Sequence, residues 1–180
     1  FSMEKNLDNL KKIVKYSIEA FLIPIFLYKN NKLVDELLSD NLFNFQPIWS
    51  DLTPLITQTV DSTCFICFDS QFSNVFYGIL HIDQDYCCLL GPCCIQPLSH
   101  QEMRNYYKTY NTCRITIPKL SENRMQSMLF LLSYLFRIPL DSVPSIDTDT
   151  FLQSKEEINL YQKQLYQLDQ SEFGFIHHSY

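Results

Sequence analysis

A chain of 180 residues, 46% hydrophobic and 19% charged, has the material for one packed domain and too little charge to stay disordered. Three glycines are too few for a phosphate-cradling loop or a dinucleotide fingerprint. The net charge of -6 argues against direct contact with nucleic acid, because phosphate binding needs a basic face.

Residues 4–21 place Leu7, Leu10, Val14, Ile18 and Phe21 at steps of three, four, four and three, the stripe of an amphipathic helix that Pro24 ends. "IPIFLYK" (23–29) reads as a strand. The "NNK" that follows reads as a turn, since Asn tolerates left-handed backbone geometry, and "LVDELL" (33–38) as a returning strand. Pro47 and Pro54 punctuate residues 39–61, where one or two short helices are expected around "LTPLITQTV". Three strands follow at close intervals, "TCFICFDS" (63–70), "SNVFYGILHI" (73–82) and "YCCLLGP" (86–92), with "DQD" turning the chain between the last two. Short connections predict an antiparallel meander.

Beyond Pro92 the pattern turns helical. Residues 99–111 open on Ser99 with Glu102 three positions later, a capping box. Residues 121–137 open on Ser121 and carry Met125, Met128, Leu129, Leu132 and Leu135 at helical spacing. "DSVPSIDTD" (141–149) reads as a linker. A last helix over 150–170 carries Phe151, Ile158, Tyr161, Leu165 and Leu168 in one register. That stripe would serve equally as a dimer seam or as packing on its own domain. The order predicts an α+β fold: a PAS/GAF-like five-stranded antiparallel sheet with flanking helices and a C-terminal linker helix. Its parts are a sensor domain over residues 3–140 and a linker and signalling helix over 141–180. Met3 reads as the initiator, with Phe1 and Ser2 outside the native chain.

Seven cysteines, an odd number in a chain without a secretory signal, suit reduced thiols in a cytoplasm. Four fall within "DYCCLLGPCC" (85–94). Strand alternation sends Cys64 and Cys67 to opposite faces, and likewise the adjacent Cys87 and Cys88. Zinc needs four ligands converging at about 2.3 Å, so these thiols read as small core residues and no metal or cofactor is expected. Cys93 and Cys94 follow Gly91-Pro92, where the strand is expected to end. As the least confined pair they carry the alternative of a redox or metal sensor.

No nucleophile elbow is present, Glu156 and Glu157 read as a solvated helix face, and the adjacency of His177 and His178 points their rings apart. No enzyme is expected, and a small enzyme on a PAS/GAF-like scaffold ranks last. Eleven tyrosines suit a cavity whose rings carry polar tips. Tyr28, Trp49, Tyr77, His81 and Tyr86 are the expected lining.

Four stretches in order, "FLIPIFLYKNNKLV", "VFYGILHIDQDYCCLLGPCCIQPLS", "IPKLSENRMQSMLFLLSYLF" and "HHSY", resemble the N-terminal regulatory half of AraC-type transcriptional regulators of low-GC Gram-positive bacteria. The resemblance spans most of the chain. It implies that two helix-turn-helix motifs lie beyond Tyr180, so that DNA is met only through that absent module. The expected function is then ligand sensing or dimerisation within a cytoplasmic regulator. Its signal would be a small molecule or a protein, its assembly a homodimer, and it would have no membrane contact.

Overall fold

The computed structural model describes residues 7–34, 63–112 and 115–146. Helix α1 spans Leu7–Phe21, followed by strands β1 (Ile25–Lys29), β2 (Lys32–Leu33), β3 (Cys64–Phe68), β4 (Val75–His81) and β5 (Tyr86–Cys94). Helices α2 (His100–Tyr110) and α3 (Glu122–Leu135) come next, and β6 (Ser145–Ile146) completes the set. Residues 35–38, the helices expected within 39–61 and the helix expected over 150–170 lie outside the described residues.

Turn chemistry sets the hairpins. Asn30 and Asn31, at φ 49° and 65°, make the two-residue turn that pairs Lys29 with Lys32. Asp83 Oδ1 accepts from the Asp85 and Tyr86 amides, both at 2.8 Å, and closes the β4–β5 turn. Asp69 does the same between β3 and β4, accepting from the Gln71 and Phe72 amides at 2.8 and 3.1 Å.

The strands order as β2-β1-β5-β4-β3-β6. The first five are mutually antiparallel, and β6 adds in parallel to β3 through Ile66 with Ser145 and Cys67 with Ile146. This is the α+β form expected from the element order, a five-stranded antiparallel sheet flanked by three helices and PAS/GAF-like in general form. The stretch read as a linker (141–149) therefore ties into the sheet edge as far as Ile146, and the Ile66 amide donates to the Pro144 carbonyl at 2.9 Å.

Both faces of the sheet are buried. On the first, α1 brings Leu10 and Val14, with Leu7, Ile18 and Phe21 packed alongside, so the whole predicted stripe faces inward. Helix α3 brings Met125, Met128, Leu129 and Leu132 to the same layer, beside Ile25, Leu27, Ile66, Leu80 and Leu90. Gly78 makes the close approach: a Cβ there would meet Met125 Sδ at 2.8 Å and the two Leu129 methyls at 3.1 and 3.2 Å. Leu135, expected inward, is 55% exposed. At about 100° per residue it lies roughly 80° off the axis of the buried stripe, and Phe136, closer to that axis, is buried instead.

On the second face α2 covers the sheet with Tyr106, flanked by Met103, Tyr107 and Tyr110. Its start is the expected capping box: Ser99 Oγ accepts from the Glu102 amide, and Glu102 Oε1 accepts from the Ser99 amide, each at 3.1 Å. Such a cap contributes about 1 kcal/mol. Asn111, left-handed at φ 50°, closes the helix.

Strand β5 does not stop at Pro92. Phe76 pairs with Cys93 and Gly78 with Leu90, so Tyr77 stands opposite both Gly91 and Pro92 in a β-bulge. Gly91 takes φ 106°, and a Cβ on it would lie 3.0 Å from the Phe76 carbonyl oxygen. Pro92, preceded by a cis peptide bond, is tolerated because β1 pairs no further than Leu90. The strand then runs on to Cys94, whose amide donates to the Pro118 carbonyl at 2.9 Å.

Candidate functional site

The polar groups of the second face gather where β4, the β3–β4 turn and α2 meet. Tyr77 and Tyr106 are fully buried, and their hydroxyls lie 3.2 Å apart. One helical turn further, the Tyr110 hydroxyl donates to Asp69 Oδ2. The other oxygen of Asp69 is already held by the turn amides, and the residue is 2% exposed. Phe72 stands edge-on to Tyr106 at 5.2 Å between ring centroids, and Tyr106 and Tyr110 are 4.9 Å apart. Tyr107 ties the same helix to the chain beyond it by donating to the Ile115 carbonyl at 3.0 Å.

Burial, then the neighbouring Tyr106 and Asp69, hold Tyr77 well above the ordinary tyrosine range. Burial raises Tyr106 as well, against its hydrogen bond with Tyr77, which pulls the other way. Both are protonated at neutral pH. The cluster can orient a polar group within an apolar wall, and its tyrosines are poor bases. Tyr77→Phe should cost about 1–2 kcal/mol, because it leaves the Tyr106 hydroxyl buried without its partner. Tyr77→Phe with Tyr106→Phe should cost less than the two singles together, as measured by urea denaturation. Additive losses would show that the hydroxyls do not pair.

The sheet register distributes the expected lining residues. Tyr28 and His81 flank Cys87 in one row, since both pair with it from opposite sides. Tyr77 shares their face but lies four residues along β4 from His81, about 13 Å away. Tyr86 packs with the α1–α3 layer, on the other face from Tyr77, and Lys29 Nζ sits 5.8 Å from its ring centre. Trp49 lies outside the described residues, as do Phe151, Ile158, Tyr161, Leu165 and Leu168. Burial lowers the His81 imidazole, which favours its neutral form.

Sequence reading missed Asp69, Tyr106 and Tyr110. A signal existed: Met103, Tyr106, Tyr107 and Tyr110 recur at steps of three, one and three, the inward stripe of an otherwise polar helix. No local pattern reveals that this stripe lands on Tyr77 and Asp69.

The six described cysteines are buried thiols. The expectation that Cys93 and Cys94 stand beyond the strand is corrected: both lie within β5, and the bulge at Gly91-Pro92 carries the ladder past the proline. Burial raises both thiols. Cys94 Sγ donates toward the Ile117 and Pro118 carbonyls, each 3.5 Å away. Burial pushes Cys64 and Cys87 up to about 12. A thiolate that reacts with oxidants or binds metal is disfavoured at every one of these positions. Among the described residues no three His, Cys, Asp or Glu side chains converge as a metal site would require, and no helix is long and apolar enough to cross a membrane.

Comparison with known proteins finds no matching family model, no matching curated protein and no matching solved structure.

Proposed function

We propose that this chain is the signal-receiving part of an AraC-type transcriptional regulator, with DNA contacted by a module that follows it. The observation that carries this reading is a sheet walled on both faces, whose second face sets the tyrosines Tyr28, Tyr77 and Tyr106 among Phe26, Phe65, Ile79 and Leu89. A ligand admitted to such a wall would be held by shape and by a few oriented hydrogen bonds, as sensing requires. A small molecule or a partner protein would shift the domain between two arrangements by its differential affinity for them. The buried, raised thiols give no support to the redox alternative, and the tyrosine cluster holds no activated nucleophile.

The gene itself supplies the decisive test. Reading its frame past the codon for Tyr180 should reveal two helix-turn-helix segments, and an immediate stop would end the AraC-type assignment. Sensing of a small molecule is checked separately, by mass spectrometry of compounds that co-purify with the protein. Tyr28→Phe should weaken retention of such a compound, and unchanged retention would remove the second face as its site.

A further inference from the structure

We propose that the outward face of α3 is the docking surface for the apolar stripe Ile158, Tyr161, Leu165 and Leu168 of the same chain. Helix α3 is polar on the outside of its first turns, at Asn123, Arg124 and Ser127, and apolar on both sides of its last two. Its inward residues fill the first-face core, while Leu131, Tyr134 and Leu135 on the other side are 53%, 79% and 55% exposed. These three fall within about 100° of helical arc, a contiguous strip of the kind that water leaves uncovered only at a cost. The proposal goes beyond signal reception and holds whether or not the domain is a sensor.

The path of the chain favours the stripe as the occupant. Strand β6 ends beside the first turns of α3, where Gln126 Nε2 donates to the Val143 carbonyl at 3.4 Å and Ser145 Oγ to Glu122 Oε2 at 3.2 Å. The chain therefore leaves Ile146 already alongside the helix it is to cover. Ile158 lies twelve positions beyond Ile146. Extended, that stretch spans up to about 40 Å, against about 20 Å for the whole of α3. The stripe steps by three, four and three in a segment polar on most of its other positions, so it calls for an apolar partner surface. Tethering at this distance gives an effective concentration in the millimolar range, far above that of a second copy in dilute solution.

Hydroxyl-radical footprinting of the intact chain tests the assignment. Leu165→Glu with Leu168→Glu should raise oxidation at Tyr134 about tenfold, the ratio set by about 1.4 kcal/mol of docking, while buried Tyr106 stays protected. The reciprocal variant, Tyr134→Glu, should raise oxidation at Tyr161 by a similar factor. It decides the matter if the first variant exposes Tyr106 and so proves unfolded. Protection in the unaltered chain should persist through a hundredfold dilution. Unchanged oxidation at Tyr161 in Tyr134→Glu overturns the proposal, and protection that fades on dilution assigns the face to a second copy instead.

Discussion

Stability should fall steeply once pH rises past 9, with the protein unfolding near pH 10. The cause is burial of thiols. Cys64 and Cys87 are pushed from 9.0 up to about 12, and burial also raises Cys67, Cys88, Cys93 and Cys94. Below pH 9 these thiols are neutral in both the folded and the unfolded chain, so their contribution is fully present and flat. Above pH 9 the unfolded chain ionises while the folded one resists, and each buried thiol removes about 1.4 kcal/mol per pH unit up to its folded value. Cys64, Cys67, Cys87, Cys88 and Cys93 together would exhaust a typical reserve of about 5–15 kcal/mol within one to two pH units. Urea midpoints at pH 7, 8.5 and 10 measure the effect, and Cys87→Ala should flatten the slope by one thiol's share. A stability that is level from pH 7 to 10 would mean that these thiols reach solvent. The same physics bears on function, because a thiol that ionises so reluctantly is a poor sensor of oxidants at neutral pH.

The contact between Gly78 and α3 should give the largest response to substitution. Leu129→Ala removes a fully buried side chain from the helix–sheet layer and should cost about 2–5 kcal/mol. Gly78→Val presses two methyls into Met125 and Leu129, which already lie 2.8–3.2 Å from where a Cβ would stand. It should cost about 3 kcal/mol, at the upper end of overpacking, because the ladder on both sides of β4 keeps the strand from yielding. Combining the two should cost clearly less than their sum, since the valine methyls fill the space that Leu129 vacates. Denaturant midpoints of the four proteins complete the cycle. Strict additivity would mean that α3 does not rest on Gly78.

The helices and turns were legible wherever a local rule governs them. The three-four spacing of Leu7, Leu10, Val14, Ile18 and Phe21 predicts the buried side of α1. Ser99 with Glu102 marks the start of α2, and Asn30-Asn31 marks the first hairpin. Alternation alone sends Cys87 and Cys88 to opposite faces, as their separate core layers show. Each of these features is set within a few residues of chain by dihedral preference, capping or period, so it is written where it acts.

Other features depended on segments far apart in the chain. The bulge opposite Tyr77 carries β5 through a proline and buries Cys93 and Cys94, and only the register with β4 specifies it. The return of Ser145–Ile146 to β3 joins residues some eighty positions apart, as no composition shift announces. Tyr77 meets Tyr106, and Asp69 meets Tyr110, because α2 happens to cross the sheet there. Local sequence states which residues are apolar and how they repeat. Which of those surfaces meet is settled by packing the whole domain at once, where burial is gained by pairs that no short window contains.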